Sequence, residues 1–335
     1  MFGRRLINTG GEAVIPYFNT VTYNGNGSTQ SISGVGFQPD FVWIKSRSAA
    51  TSHKLTDIVR GTTKGLVSNT TAAETTDTNG LTAFGSDGFT LGTDSVYNNS
   101  GATYVAWCWK AGGAAVTNTD GSITSDVSAN VDAGFSVVKW TGAGANGTVG
   151  HGLNSAPDIY ILKIINGVGS STVHYNGSLV GDTGTKYLVL NSEDAESVAG
   201  QPSTTSVALS VLSTYAGGSG QNWLAYCFAE KAGFSKFGSY SAGGSSTVSV
   251  TTGFESAFIM FKRTDSTGNW IIFDNKRSTS GTDFDNFLYP NLSDAEVPNI
   301  DAVTVNSTGF VVTRSNAAPN FSGGTYIYMA FANQF

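Results

Sequence analysis

Three stretches of the chain share one pattern: YVAWCWKAGG at residues 104–113, WLAYCFAEKAG at 223–233 and YIYMAFANQF at 326–335. Their superposition aligns Trp109, Phe228 and Phe331. Alternate positions of a β-strand point to opposite faces, and both faces of the first stretch are apolar or small: Val105, Trp107 and Trp109 on one, Tyr104, Ala106 and Cys108 on the other. Such a strand is covered on both sides. We therefore expect each stretch to be a central strand, between an opposing sheet and a loop or neighbouring unit.

Two further blocks recur in the same order. The first reads PDFVWIKSR from Pro39, PDIYILKII from Pro157 and SAFIMFKRT from Ser256. It aligns three lysines, namely Lys45, Lys163 and Lys262. The second reads GLVSNTTAAET, YLVLNSEDAES and FLYPNLSDAEV, and it aligns three asparagines and three glutamates: Asn69, Asn191, Asn291, Glu74, Glu196 and Glu296. Self-similarity of this kind predicts a repeat architecture.

The repeats divide the chain into a leader at 1–15, unit one at 16–111, a linker at 112–132, unit two at 133–232 and unit three at 233–335. Each unit is about 100 residues long, the usual size of one domain. Short β-branched and aromatic runs separated by Gly, Asn and Asp are typical of antiparallel sandwiches. We therefore predict an all-β fold of three tandem antiparallel, jelly-roll-like sandwich units.

Two features of this organisation have alternative interpretations. The linker is rich in Gly, Ser, Thr, Asn and Asp, so it is either an extended connection or an added edge hairpin that turns at Asp120-Gly121. The three units are compatible with an arrangement in line and with one around a pseudo-threefold axis.

The composition of the 335-residue chain excludes several classes of protein. An aromatic content of 12% is too high for a disordered Ser- and Gly-rich chain. A net charge of −6 without a basic cluster gives no electrostatic footprint for nucleic acid. No apolar run approaches about 18 residues, and the first residues lack a signal-peptide core. We therefore expect neither membrane insertion nor secretion.

The residues that could carry chemistry favour structural roles. His53, His151 and His174 lack the fixed carboxylate or second ligand of a catalytic or metal-binding histidine, so we expect satisfied surface or edge positions. Cys108 and Cys227 lie within apolar strands, where packing is expected. The recurring acidic cluster contains the three aligned glutamates together with Asp194 and Asp294. We expect its Asn and Asp oxygens to cap a turn, and we predict no enzyme activity, no cofactor and no metal site.

The string GFQPDFVWIKSRS…HKLTDIVRG…GLVSNTTAAE…FGSDGFTLG…YVAWCWKAGG at 36–113, followed by TNTDGSITSDVSANVDAGFSVVKWTG, resembles a domain of structural proteins of tailed bacteriophages, many of them marine. Such domains are labelled tail-fibre-like or of unknown function. The resemblance covers about 100 residues of unit one and the linker specifically, is weaker in unit two and is weakest in unit three. It implies a virion component with concanavalin-like or laminin-G-like sandwiches, and it brings no catalytic residues.

These observations together predict a non-enzymatic virion structural protein, most directly a tail-fibre, tail-tip or spike component that contacts the host surface. A capsid decoration or head-fibre protein is one alternative, and a carbohydrate-binding module is another. The expected partners are other virion proteins, further copies of the chain in a homotrimer, and a host cell-surface glycan. The expected location is the virion, after assembly in the host cytoplasm.

Two sets of residues are candidates for contacts. The leader precedes the first repeat and has no counterpart before the other units, so Arg4 and Arg5 are candidates for docking to the virion. Aromatic side chains in polar, loop-like stretches are candidates for stacking on sugar rings, namely Tyr97, Tyr175, Tyr215 and Trp270.

Overall fold

The computed structural model describes residues 16–176, 179, 185–198, 203–278 and 282–333, and this part of the chain is all-β. The elements of segment one, residues 16–111, are β1 (Phe18–Asn24), β2 (Gln30–Ser33), β3 (Phe41–Ser46), β4 (Lys54–Asp57), β5 (Lys64–Gly65), β6 (Thr75–Thr76), β7 (Leu81–Gly85), β8 (Gly88–Leu91), α1 (Ser95–Asn98) and β9 (Thr103–Trp109). The short helix begins where the carboxylate of Asp94 accepts the backbone N–H of Val96.

The rest of the chain continues the strand-rich pattern. Residues 112–232 contain β10 (Val116–Asn118), β11 (Ser125–Asn130), β12 (Phe135–Thr141), β13 (Gly147–Gly150), β14 (Ile159–Ile164), β15 (Thr172–Asn176), β16 (Thr185–Val189), β17 (Ser197–Val198), β18 (Ala208–Val211) and β19 (Asn222–Phe228). Residues from 233 contain β20 (Ser235–Ser241), β21 (Val248–Thr251), β22 (Phe258–Arg263), β23 (Ile271–Asp274), β24 (Asp283–Phe284), β25 (Phe287–Leu288), β26 (Val303–Asn306), β27 (Gly309–Val312) and β28 (Thr325–Phe331). We call residues 133–232 segment two and residues 233–333 segment three.

One antiparallel sheet recurs in each segment with the same strand order. The order is β1-β9-β3-β4 in segment one, β12-β19-β14-β15 in segment two and β20-β28-β22-β23 in segment three. The register is also the same, since Trp109 pairs with Phe41, Phe228 with Ile159, and Phe331 with Phe258. The strands β9, β19 and β28 are thus central in these main sheets, as their two apolar faces predict.

A smaller antiparallel sheet accompanies each main sheet, giving a β-sandwich-like pair of layers. These sheets are β2-β8-β7, β13-β18 and β21-β27-β26-β24. A separate hydrophobic cluster fills each pair of layers; in segment one it contains Tyr104, Ala106 and Cys108 from β9 together with Phe89 and Leu91 from β8. Equivalent clusters lie in segments two and three. One face of each central strand is therefore buried within its own segment.

The opposite faces of the three main sheets bury one shared core. Val105, Trp107 and Trp109 of β9 belong to it, as do the corresponding residues of β19 and β28. The rings of Trp109, Phe228 and Phe331 meet there, with centroid separations of 6.3 Å, 5.8 Å and 5.8 Å. The second face of each central strand is therefore covered by the neighbouring segments. The segments surround a common aromatic core and are not arranged in line.

Residues 112–132 form the edge hairpin, one of the two alternatives that the sequence left open. β10 pairs with β11, and the turn between them contains Asp120 and Gly121. β11 pairs in turn with β12 and extends the main sheet of segment two. The carboxylate of Asp40 accepts the backbone N–H of Gly113, which ties the start of this stretch to segment one. The predicted linker is thus part of a sheet.

Candidate functional site

The three lysines aligned by sequence lie at one equivalent position and are buried. Lys45, Lys163 and Lys262 occupy β3, β14 and β22, and their side chains are at most 3% exposed. Each ammonium donates to a backbone carbonyl of its own segment, at 2.7 Å. Lys163 also donates to the backbone carbonyl of Thr70 in segment one, and Lys262 to the backbone carbonyl of Glu193 in segment two. Burial lowers the pKa of each ammonium to about 8.

The three aligned glutamates mark three equivalent contacts between segments. In each, the glutamate backbone N–H donates to the carbonyl two residues beyond the lysine of the next segment. The bonds run from Glu74 to Ile165 at 2.9 Å, from Glu196 to Thr264 at 2.8 Å and from Glu296 to Arg47 at 2.8 Å. We call these contacts interface 1–2, interface 2–3 and interface 3–1. Head-to-tail contacts that return to the first unit form a closed ring, so the segments lie around an approximate threefold axis.

The aligned asparagines support the loops that make these contacts. The amide oxygen of Asn69 accepts the backbone N–H of His53, and Asn191 and Asn291 accept those of Ser171 and Trp270. The distances are 3.1, 2.8 and 3.0 Å. The asparagine oxygens thus accept backbone N–H groups, as predicted for this block, but from residues 16 to 21 positions away and not from a turn of the block itself.

The glutamate side chains take part in buried ion clusters in segments one and three. Arg60 bonds Asp57 at 2.6 Å and Glu74 at 3.1 Å. At the equivalent place Arg277 bonds Asp274 at 2.6 Å and Glu296 at 2.9 Å. These arginines and aspartates were not predicted from the sequence. The signal was present as the spacing D-x-x-R, which occurs in both segments just after the strand that follows the lysine block.

Glu296 also joins interface 3–1 through its side chain. Arg47 of segment one donates to both of its carboxylate oxygens, at 3.0 to 3.1 Å from Nε and at 2.7 Å from Nη2. The carboxylate therefore lies between two guanidinium groups, Arg47 and Arg277. This fork geometry fits a carboxylate closely, and it links residues that are 249 positions apart.

Segment two has a different arrangement, in which a lysine and a tyrosine bond the glutamate: Lys186 lies 3.6 Å from Glu196. Tyr175 pairs with Ile159. The equivalent residues Phe41 and Phe258 pair with Asp57 and Asp274, so Tyr175 occupies the position of these aspartates. Its hydroxyl donates to Glu196 at 2.5 Å. The change is matched on the central strands: Trp107 donates to Asp274, Tyr226 donates to Asp57, and the equivalent Met329 has no such donor. A donor side chain on the central strand of one segment is thus matched by a carboxylate in the segment that it faces.

The structure corrects the prediction of surface-contact aromatics. Tyr97, Tyr175 and Trp270 are each 1% exposed, so they cannot stack on a sugar from solvent. Tyr97 donates to Asp77, and the indole of Trp270 donates to the carbonyl of Val189 across interface 2–3. Tyr215 is partly buried, and its hydroxyl bonds Thr172 at 2.5 Å. Polar flanking residues made these positions look like exposed loops, but each ring points into the protein.

The histidines and cysteines are interior residues. His53, His151 and His174 are all 0% exposed, so the prediction of surface or edge positions is wrong. Burial lowers the pKa of His174 to about 3. Cys108 and Cys227 are also 0% exposed, and burial raises the pKa of both thiols, that of Cys227 to about 12. The predicted packing role of the cysteines agrees with this burial.

A half-open cavity of about 270 Å³ in segment two has Asp158, Tyr160 and Asn176 among its lining residues. Burial raises the pKa of Asp158, whose carboxylate accepts the backbone N–H of Glu230. The described part of the chain has no group of three His, Cys, Asp or Glu side chains arranged to hold a metal ion. Nor does it contain a helix long and apolar enough to cross a membrane.

The remaining candidates, Arg4 and Arg5, lie outside the described residues. Among known proteins, the model of one family matches residues 15–334, and its description reads domain of unknown function, DUF7483. No curated protein and no solved structure matches the chain. Because the match includes all three segments and the hairpin between the first two, the chain belongs to the DUF7483 family.

Proposed function

We propose that this chain is a non-enzymatic structural protein of a tailed bacteriophage and serves as a tail-fibre, tail-tip or spike component that contacts the host surface. The observation that carries the proposal is the closed cycle of interfaces 1–2, 2–3 and 3–1 around one aromatic core. Such a cycle makes one chain a rigid body with approximate threefold symmetry, which matches the symmetric oligomers of phage appendages. The resemblance of segment one and the hairpin to phage structural domains supports the same proposal.

The repeated layers support a finer description of the fold. We propose that each segment is a jelly-roll or concanavalin-like sandwich of about 100 residues, the size of a usual domain. The shared strand order and register of the main sheets, each with a smaller sheet beside it, support this description. A homotrimer of the chain stays a prediction, and the cycle lets a single copy present three equivalent faces.

The use of the ionisable side chains supports a non-enzymatic role. Glu74 and Glu296 bond arginines, and Glu196 bonds Tyr175 and Lys186. A general acid or base must reach a substrate proton. These carboxylates instead join strands to loops within the interfaces.

A capsid decoration or head-fibre protein is the second candidate. The shared core favours it, because segments that surround one axis form a compact body and not the rod expected of sandwiches in line. A compact body with few charges suits the repeated positions of a symmetric shell.

Electron microscopy of source particles labelled with a gold-tagged antibody to this protein tests the proposal. Label on fibres or at the tail end is the expected result. Antibody absorbed with the purified protein is the control. Label over the head would favour the decoration protein. Unlabelled particles, together with affinity of the purified chain for a polysaccharide, would contradict both candidates and favour a carbohydrate-binding module.

Deletion of residues 1–13 is expected to leave a folded protein that no longer joins the particle. The shared core is expected to remain intact because its buried residues begin at Phe18, after the deleted stretch. Mass spectrometry of purified particles measures incorporation, and circular dichroism measures folding. The double substitution Arg4→Ala, Arg5→Ala shows whether the two charges carry the effect. Normal incorporation of the truncated protein would contradict a docking role for the leader.

A further inference from the structure

Interface 3–1 contains a histidine that is bonded on both ring nitrogens. His53 is 0% exposed and precedes β4. The indole N–H of Trp43 lies 2.8 Å from its Nδ1. Its Nε2 lies 3.0 Å from the carbonyl oxygen of Tyr289 in segment three. The imidazole therefore connects the first segment to the third.

These two partners determine the protonation state of the ring. An indole N–H only donates, and a carbonyl oxygen only accepts. Nδ1 of His53 must therefore be the bare acceptor, and Nε2 must carry the proton that is donated to Tyr289. A second proton on Nδ1 would point at the N–H of Trp43, so the closed interface requires the neutral ring.

The charged groups around His53 oppose a second proton as well. Lys45 approaches from β3, and Arg277 approaches from the loop after β23. The acids that face this region, Glu296 and Asp274, are already bonded to arginines, and Asp294 and Glu296 act on Lys45. Trp107 of β9, whose ring centroid lies 6.3 Å from the imidazole, is uncharged. Burial, followed by Lys45 and Arg277, lowers the pKa of His53 well below its usual value.

The equivalent position at interface 2–3 is Trp270. Its indole N–H donates to the carbonyl of Val189 at 3.0 Å, and Val189 corresponds to Tyr289 in the aligned blocks. At interface 1–2 the equivalent residue is Ser171. Neither residue takes up a proton in mildly acidic solution. Of these three equivalent positions, only that of interface 3–1 holds a side chain that can take up a proton in this range.

Interface 3–1 also differs in its connection by the backbone. The chain runs from segment one to segment two and on to segment three, so interfaces 1–2 and 2–3 join consecutive segments. Interface 3–1 joins the first segment to the last. Its loss would open the ring and leave a chain of three segments with two interfaces still formed.

We propose that His53 is an acid-sensitive latch: a proton on its Nδ1 opposes the N–H of Trp43 and adds a buried positive charge near Lys45 and Arg277, so the ring leaves its site. The bond to Tyr289 is then lost and interface 3–1 opens, while the other two interfaces stay closed. The proton comes from solvent and remains on the exposed imidazole of the open form. Because the open form binds this proton more tightly than the closed form, the open fraction increases as the pH falls below about 6.5. The opening constant increases by up to about tenfold per pH unit.

Hydrogen exchange of the full chain between pH 7 and pH 5 tests the latch. The backbone N–H of Glu296 reports on interface 3–1, and those of Glu74 and Glu196 report on the other two. After correction for the intrinsic rates, the protection of Glu296 is expected to fall by up to about 30-fold across the range below pH 6.5. Glu74 and Glu196 are expected to keep their protection.

The variant His53→Gln keeps an acceptor and a donor but cannot take up the proton. Its Glu296 protection is expected to be independent of pH. His174→Gln is the matched control, because His174 is also 0% exposed but bonds Thr172 within segment two; it should retain the wild-type pH dependence at Glu296. The same pH dependence in His53→Gln as in the wild type would overturn the proposal, as would a simultaneous loss of protection at all three glutamates.

A measurement on the unmodified chain covers the case in which His53→Gln fails to fold. The imidazole of His53 can be titrated by nuclear magnetic resonance in the same pH range. Its protonation is expected to coincide with the loss of Glu296 protection. Protonation of His53 while Glu296 stays protected would overturn the proposal.

Discussion

Replacement of Trp109 by alanine is expected to lower the free energy of unfolding by about 3–5 kcal/mol, the usual cost of removing a large buried aromatic ring. Trp109 is 3% exposed and lies where the three main sheets meet. Its ring contacts aromatic rings from every segment, with centroid separations from 4.9 to 6.5 Å: Phe18, Phe41, Phe135, Phe228, Phe258 and Phe331. Alanine would leave a cavity at the place where the three main sheets meet, so it could shrink only if all three sheets moved.

Denaturant unfolding followed by fluorescence and by circular dichroism measures this loss. Trp109→Phe is the matched control, since Phe228 and Phe331 occupy the equivalent positions, and it is expected to cost clearly less than alanine. No hydrogen bond is lost, because among the described residues no group accepts from the indole N–H of Trp109. Val168→Ala, at a side chain that is 79% exposed, should change stability by less than about 0.5 kcal/mol. A loss below about 1 kcal/mol for Trp109→Ala would show that the shared core contributes little.

The substitution Arg277→Met is expected to have a similarly large effect, about 3–5 kcal/mol of unfolding free energy. Burial disfavours the charge on Arg277, but the carboxylates of Asp274 and Glu296 outweigh burial and raise the pKa of the guanidinium. Methionine is a long apolar side chain, and it leaves the buried carboxylate of Asp274 without its charged partner. The variant would also remove the guanidinium that lies 5.5 Å from the ring of Trp107.

An exposed ion pair in the same segment supplies the control for this prediction. Arg263 bonds Asp265 at 2.9 Å, and their side chains are 19% and 37% exposed. Arg263→Met is expected to cost less than about 1 kcal/mol, because solvent screens the pair. Thermal and denaturant unfolding of both variants compares the two sites. Equal losses would contradict the view that burial makes the Arg277 cluster costly to break.

Local features of the chain were predicted well because they depend on short-range chemistry. The period of two in YVAWCWK indicates a strand with two covered faces, and the structure buries both. The alignment of Lys45, Lys163 and Lys262 predicts one equivalent position, and each ammonium group bonds a backbone carbonyl of its own segment. Because the repeated spacing is visible in the sequence, the equivalence of these positions can be predicted without knowledge of any long-range contact.

Predictions that required knowledge of the partner segment failed. Tyr175 lies within a short, largely polar strand, yet it is buried and its hydroxyl bonds Glu196, 21 residues away. His53 has no charged partner nearby in the chain, but its ring bonds a carbonyl 236 residues away. Exposure depends on what packs against a residue, and neighbours in the sequence do not specify that.

The sequence by itself determined the strands, their apolar faces and the equivalence of the repeats, because periodicity and register are local properties of a chain. It also determined that the second face of each central strand needs a cover. Only the tertiary structure decided that the cover is the other two segments, arranged as a closed ring with interface 3–1 between the first and the last. The physical reason is that hydrophobic burial has no preferred direction, so an apolar face requires a covering surface but does not specify which one. Hydrogen bonds and ion pairs such as Arg47 with Glu296, 249 residues apart, select that partner.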